Sequence, residues 1–444
     1  MRNLNSKAKE SASPLLKNEG IKSVSASLLS IMAGLLVGGA ITVIVALIND
    51  EISFKAGLEG LKLIFFGLFS TGRDISGNLT FGFNPVNIGN LLFRATPVIM
   101  TGLSVAVAFK TGLFNIGAPG QYLMGTAASL FIALTIPSSS VPTWIIWLLA
   151  LIGGMAAGAL WGAIPGALKA YLNINEVLAC IMTNWIAANL VTWFFESSNL
   201  RNGNESGKIG YIMPTSANGV VTAKLGLDRI FPGSQVNGGI LVAIIFAILV
   251  YVMIYKTTLG YSMKACGSNK HAAEYAGIKS KRMLVLSMAI AGALSGGGAS
   301  LYYLSGNTEF FHATYQSLPA EGFNGIPIAL LAANNPIGVI FSGLFMSMLN
   351  IAGQQLKNLT AYNEYITDII IAAIVYLSAF SLVIKALLSG LHKRKSAVAV
   401  ATRKGNSTTA GVQTHADEEI IEEINNGVKN AEIDFSEDKR EGEE

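Results

Sequence analysis

The sequence predicts an all-α protein that crosses a membrane many times, and three observations carry that prediction. Apolar residues fill 51% of the 444 positions while only 13% are charged, roughly half the charge of a soluble protein of this size. Apolar runs of about 20 residues recur along the chain, each long enough to cross a hydrocarbon core about 30 Å thick as a helix. The runs are continuous rather than alternating, which argues against a transmembrane β-barrel. Together they give about ten membrane segments, some short or broken, with both termini on the cytoplasmic side.

Residues 1–26 carry Arg2, Lys7, Lys9, Lys17 and Lys22 against Glu10 and Glu19, a bias that holds the N-terminus inside. The first span, Ser27 to Ile48, has no charge. It is too long for the apolar region of a cleavable signal and no cleavage pattern follows it. Residues 49–91 hold three bases and four acids and read as external, with FKAGLEGLKLIFFGLFS as an amphipathic helix at the interface. The second span, Leu91 to Phe109, contains Arg94 and Pro97, and Lys110 follows it inside. Next comes FNIGAPGQ, residues 114–121, where Gly117, Pro119 and Gly120 prevent a regular helix. Backbone left unpaired at membrane depth is tolerated only where protein buries it or where it lines a wet cavity. The stretch is therefore part of the substrate path, or the core directly behind it, or a tight turn between packed helices. A third span follows it to Ile136.

The fourth span, Pro142 to Leu168, places Gly154, Gly158, Gly162 and Gly166 in a four-residue ladder that lets another helix approach closely. KAYLNINEV then sets Lys169 and Glu176 at the inner face. The fifth span, Val177 to Phe195, carries Asn184 near its middle. An amide in an apolar medium must find partners, so Asn184 either staples helices together or faces the pathway. Residues 196–236, rich in Gly, Asn, Ser and Pro, read as an external loop long enough to dock a partner. The sixth span is Asn237 to Tyr255. The seventh, Met283 to Leu304, contains SGGGAS, whose adjacent glycines cost about 1 kcal/mol each relative to Ala and make sense only for close packing or a bend. Glu309, Glu321 and His312 follow with no base before Gly322, and His312 reads as a surface residue. Asn334, Asn335 and Pro336 then split the next apolar region into pieces at 324–333 and 338–353. These are either two short spans meeting in an inner turn or a re-entrant region, and such breaks point to binding regions in transporters. The last span, Tyr365 to Ala386, precedes His392-Lys393-Arg394-Lys395, which keeps the C-terminus inside. The tail, 389–444, holds twelve acids against three bases from Ala416 onward, a composition expected to stay disordered.

Between the sixth and seventh spans, residues 256–282 carry six Lys and Arg and the single acid Glu274. Ser268 or Asn269 can cap a helix there, roughly Lys270 to Ala276, and Gly277 can close it in the left-handed conformation. By charge alone this is either a solvated loop that orients the protein or a surface on which something presses. The run GYSMKACGSNKHAAEYAGI resembles the coupling loop of ABC-importer permeases of the nucleoside, ribose and branched-chain amino acid type. FNIGAPGQ resembles that family's FNIGAEGQ but has Pro119 where the family commonly has an acid, so a role for that carboxylate does not carry over. NEVLACIMTNWIA is similar to its NEV…IMLNYIA pattern. The resemblance covers about residues 85–385 and is strongest to nucleoside importers that work with a receptor lipoprotein.

That resemblance implies a permease subunit of an ATP-driven importer, with nucleosides as the expected cargo. Import of a ribose-like sugar is the alternative, and an ATP-independent secondary carrier a more distant one. It implies a separate ABC ATPase that uses ATP-Mg and docks on Asn269, Ala273, Glu274, Tyr275, Gly277 and Ile278. It also implies a second permease chain, forming a heterodimer, and an extracellular substrate-binding lipoprotein. The translocation pathway is expected near Phe114, Asn115, Gln121 and Asn184, within a permease domain at 27–388 that is embedded in the lipid of the cell membrane.

The chemistry missing from the chain agrees with this. It has no GxxxxGK[ST] phosphate loop, no HExxH, no CxxC pair and no GxSxG, so neither an ATPase site nor an enzyme is expected. Cys180 and Cys266 have no partners at metal-ligand spacing, and no metal or bound cofactor is anticipated. The net charge of +4 is scattered over short loops, which does not form a nucleic-acid surface. The central parts of the spans are almost free of the ionisable groups that couple secondary carriers, so the energy source is placed outside the chain.

Overall fold

A computed structural model describes residues 19–48, 54–202, 210–313 and 316–362, together with 368, 369, 372, 373 and 376. Most of the expected last span, the acidic tail and the first 18 residues lie outside the described residues.

The described part is predominantly helical, and six of its helices are long and apolar enough to cross a membrane. α1 is Glu19–Ile48 and α2 is Phe54–Phe66. A two-stranded antiparallel hairpin follows, β1 Ser70–Arg73 and β2 Leu79–Phe81. The core helices come next: α3 Pro85–Lys110, α4 Ala118–Thr135, α5 Thr143–Leu172, α6 Glu176–Glu196, α7 Gly239–Lys256 and, after two short helices, α10 Ser280–Tyr303. The short pair is α8 Thr258–Ser268 and α9 Lys270–Tyr275; α11 Ala320–Leu331 and α12 Pro336–Leu359 complete the order. All the core helices but α4 are among the six of membrane length, the sixth being α12.

Local chemistry explains most boundaries. Asn84 caps α3 by accepting from the Asn87 N–H at 3.1 Å, with Pro85 at the first position, so the helix starts six residues before the expected Leu91. Asn173 closes α5 in the left-handed conformation, and Lys169 pairs with Glu176 at 2.9 Å across the turn into α6. Asn335 caps α12, which runs for 24 residues, so the second apolar piece is a full-length helix rather than a short one. Only α11, with 12 residues, is short, and Ala333 and Asn334 turn the chain with positive φ between the two. The hairpin was not expected; Asp74 accepts from the Asn78 N–H at 2.7 Å to close its turn, and Arg73 pairs with Glu59 at 2.6 Å. α2 also differs from a helix lying free at an interface. Gly57 and Gly60 press against Ala46 and Thr42 of α1, and only the opposite face, with Leu58, Phe65 and Phe66, is exposed.

α10 is the axis of the bundle. On α5, a Cβ at Gly158 would come within 2.3 Å of the Gly292 carbonyl oxygen and one at Gly162 within 2.4 Å of that of Met288. The seam is reciprocal, because Gly292 and Gly296 of α10 lie equally close to the carbonyls of Gly158 and Gly154. The glycine ladder thus brings two backbones into contact, the arrangement small residues permit in apolar media. The three adjacent glycines serve close packing in different directions. Gly296 meets α4 and α5, Gly297 meets Met100 and Met155, and Gly298 meets Pro97 of α3.

Lysines gather at one end of the bundle. Lys110 and Lys264 sit 5.9 and 4.9 Å from the Tyr255 ring centroid and Lys281 sits 5.7 Å from that of Tyr171. At the opposite end, residues 210–238 fold over the helix ends. The Ile212 N–H donates to the Phe310 carbonyl at 2.9 Å, and Asn218 donates to the carbonyls of Ala133 and Ile136 at 2.8 Å. His312 is buried beneath this cap, its ring 6.5 Å from that of Phe195, and is therefore not the surface residue expected.

Gly158→Val should clash with the Gly292 carbonyl and cost about 1–3 kcal/mol. A lower melting temperature in detergent, with the lipid-facing Leu160→Val unchanged, is the expected result.

Candidate functional site

The turn from α3 to α4 is held by three amide side chains. Asn115 is fully buried. Its Nδ2 donates to Ser104 Oγ at 3.0 Å and to Gln121 Oε1 at 2.9 Å, while its Oδ1 accepts from Gln121 Nε2 at 3.0 Å and from the Gly117 N–H at 3.1 Å. Asn184 reaches in from α6. Its Oδ1 accepts from the Gly120 N–H at 2.9 Å and its Nδ2 donates to the Ile116 carbonyl at 3.0 Å. Contrary to expectation, Pro119 and Gly120 do not prevent a helix: they form the first turn of α4, where proline is tolerated, and the break is the turn that ends at Gly117. The groups it frees at Ile116, Gly117 and Gly120 are satisfied by these side chains, as an apolar surrounding requires. Gly120 is obligatory here, because a Cβ would lie 2.8 Å from Asn184 Oδ1 and 2.9 Å from Asn184 Cα. Ser295 of α10 adds a bond to the Ala118 carbonyl at 2.7 Å.

Asn115, Gln121 and Asn184 are thus brought together, whereas Phe114 stands apart. Phe114 is half-buried and packs on Phe109, with ring centroids 5.3 Å apart. A second interruption adjoins the first. The start of α11 leans on this turn so closely that a Cβ at Gly322 would lie 2.5 Å from Pro119 Cα, and Thr101 of α3 donates to the Glu321 carbonyl at 2.8 Å. The sequence placed its break at Asn334, Asn335 and Pro336, beyond the far end of α11, and showed neither this start nor its contact with the α3–α4 turn. A separate lateral crevice of about 290 Å³, walled by residues such as Met124, Phe131, Leu190 and Trp193, is wholly apolar and suits no polar solute.

At the lysine-bearing end, Asn269 caps α9 by accepting from the Ala272 N–H at 3.0 Å, and Gly277 ends it with φ +80°. Ala273 is buried and anchors the helix, Ile278 is half-buried, and Tyr275 stands 94% exposed. Glu274 accepts a hydrogen bond from the Ser280 hydroxyl at the start of α10. That bond, helped by Lys270, His271 and Lys281, holds its carboxyl below the ordinary 4.5. α8 was not foreseen, since glycines and serines dilute its pattern. Thr257 caps it at 3.2 Å from the Gly260 N–H. Its Gly267 presses on the α3–α4 turn, where a Cβ would come within 2.5 Å of the Lys110 carbonyl and 2.9 Å of the Gly112 nitrogen. Cys266 beside it is buried, which raises its thiol above the usual range. No group of three His, Cys, Asp or Glu placed to hold a metal occurs among the described residues.

The chain is similar to known transport proteins. Residues 87–379 match the family model described as branched-chain amino acid transport system / permease component. The chain is 36% identical over 346 residues to the nucleoside ABC transporter permease protein NupB of Lactococcus lactis, covering 74% of this chain and 93% of that protein. It is 33% identical over 310 residues to the guanosine ABC transporter permease protein NupP of Bacillus subtilis, covering 69% and 85%. To the glucose ABC transporter permease protein TsgB13 of Haloferax volcanii it is 32% identical over 293 residues, covering 64% and 74%.

Asn184→Ala should leave the Gly120 N–H and the Ile116 carbonyl unpaired, at about 1–3 kcal/mol for each, measurable as a lower melting temperature in detergent. For Glu274 the ionised form is the one stabilised in the fold. Its contribution is therefore present above the unfolded value and lost as pH falls through the depressed folded one. Amide exchange of Lys270–Tyr275, corrected for intrinsic rates, should rise as pH drops below 4.5 in the native chain and lose that dependence in Glu274→Gln.

Proposed function

The chain belongs to the branched-chain amino acid transport system / permease component family, and from that membership we propose that it is the membrane-spanning permease subunit of an ATP-driven importer of nucleosides. The observation that carries the reading is the α8–α9 pair: a capped helix offers an exposed tyrosine to a partner and is backed, through Gly267, against the turn that holds the interrupted helices. The partner is a separate ABC ATPase that hydrolyses ATP-Mg, docking on Asn269, Ala273, Glu274, Tyr275, Gly277 and Ile278. These residues divide the work. Tyr275 makes the contact, Asn269 and Gly277 shape the helix, and Ala273, Ile278 and Glu274 tie it to the body.

In this reading, movement of the ATPase pushes α9 and α8 toward Lys110–Gly112, and the amide network passes the push to α4 and α6. Because Asn115, Gln121 and Asn184 spend their hydrogen bonds on one another and on backbone, they belong to the core directly behind the translocation pathway and set its shape. Phe114 sits between that core and the lysine-bearing end. About ten membrane segments with both termini in the cytoplasm, a second permease chain completing the pathway, and a receptor lipoprotein meeting the cap at 210–238 complete the assembly. The nucleoside assignment draws on the resemblance to NupB and NupP, which does not favour the ribose-like alternative; glucose is a second reading, supported by the similarity to TsgB13.

The chain, expressed with its second permease and receptor and with or without the ATPase, should take up radiolabelled guanosine, adenosine or uridine faster than ribose or glucose, and only with the ATPase. Tyr275→Ala and Glu274→Arg should lower that uptake at least tenfold at unchanged membrane levels. ATPase-independent uptake that survives both substitutions would establish a secondary carrier instead.

A further inference from the structure

The second interruption carries chemistry that the proposed importer does not yet use. Thr101, which holds the Glu321 carbonyl, is 16 positions into the 26-residue α3, so the start of α11 lies roughly 24 Å from one end of that helix and 14 Å from the other. It is therefore deep in the bundle. The chain reaching it, 316–319, is irregular, and Ser317, Ala320 and Phe323 are exposed there. Lipid cannot satisfy irregular backbone, so such a segment at this depth must face other protein or a water-filled space.

The side chains beside it are suited to a polar, aromatic solute. Tyr122 of α4 is fully buried, yet among the described residues its hydroxyl has no hydrogen-bond partner, and neither does Nε of Arg94. The Tyr122 and Tyr303 ring centroids are 6.4 Å apart and those of Tyr302 and Tyr303 5.1 Å, both edge-on. Glu321 in the first turn of α11 is near enough to act electrostatically on Tyr122, Tyr302 and Tyr303, as Arg94 does on Tyr302. A carboxylate takes up two hydroxyl donors well, and tyrosine faces stack on aromatic rings. An unpartnered buried hydroxyl is costly unless something completes it.

We propose that the start of α11 is the wall of the translocation pathway and a transient binding site for a nucleoside. Glu321 accepts hydrogen bonds from the vicinal ribose hydroxyls, Tyr303 stacks on the base, and Tyr122 supplies a further hydroxyl. This rests on the importer reading above, and the site differs from Asn115, Gln121 and Asn184, which hold its backbone in place from behind.

Two measurements on the full complex in membranes test it. Ala320→Cys and Phe323→Cys should react with a small charged methanethiosulfonate at least tenfold faster than the lipid-facing control Leu160→Cys, with reaction at the native Cys180 and Cys266 followed separately by mass spectrometry. Failure of both positions to react faster than the control overturns the proposal. With receptor and ATPase unaltered, the ratio of guanosine to 2′,3′-dideoxyguanosine uptake should fall about tenfold in Glu321→Gln, and Tyr303→Phe should retain the uptake that Tyr303→Leu loses. An unchanged ratio in Glu321→Gln overturns the assignment of that carboxylate to the ribose. If the native complex takes up no nucleoside, the nucleoside reading fails by itself, while thiol labelling still decides whether this face lines the pathway.

Discussion

Backbone polar groups inside an apolar medium must be satisfied by the protein itself, and much of this structure follows from that constraint. A continuous helix meets it without help. FNIGAPGQ cannot, because the chain turns there and restarts as α4 at Ala118, leaving first-turn N–H groups without helical partners, so amides within the stretch and one from α6 complete it. Asn184 comes from a helix more than 60 positions later and clamps both the Ile116 carbonyl and the Gly120 N–H. Asn115 and Gln121 pair with each other in both directions. Replacing a ladder with side-chain bonds creates a local site that is specific in geometry and sensitive to displacement.

The second organising feature is the backbone contact between α5 and α10. Glycines on both helices remove the side chains that would keep them apart, and carbonyls of one then lie against the Cα atoms of the other. Since lipid offers little hydrophobic driving force between helices, dense packing of this kind supplies much of the association energy. α10 also meets α3 and α4 through its neighbouring glycines, and its first residue, Ser280, bonds to Glu274 of the short α9. One rigid helix therefore joins the surface on which an ATPase would act to the helices around the interrupted turns. Gly267 of α8 adds a second route to the same turn. Two mechanical connections thus converge on one network of amides, and neither needs a charged group inside the membrane spans.

Sequence and structure agree most closely where a residue's role is local. Asn269 as a cap, Gly277 as a left-handed stop and the glycine ladder at Gly154 to Gly166 were all legible, because capping chemistry and helical spacing act over a few residues. The helix α8 and the hairpin at 70–81 were not, since their stability comes from contacts with Lys110–Gly112 and from the pairing of Arg73 with Glu59. The burial of His312 differs from the surface position its neighbours suggest for the same reason: it depends on residues 210–212 folding over it. For Asn184 the sequence left two roles open, and both of its hydrogen bonds go to backbone, which makes it a staple.

By itself the sequence determined that the chain is a helical membrane protein, that the chain turns near 114–121, and that Asn269 and Gly277 bound a short helix. These follow from composition, from apolar run length and from residues whose backbone preferences are intrinsic. Only the tertiary structure decided that the interruption at 114–121 meets the one before α11, and that Tyr122, Tyr303 and Glu321 gather beside them. Tyr122 lies 181 and 199 positions from Tyr303 and Glu321, which are 18 apart, and each is unremarkable among its neighbours in the chain. The glycine pattern shows that helices can approach closely, but which helices pair, and so which side chains meet, is a property of the packed bundle that no local pattern encodes.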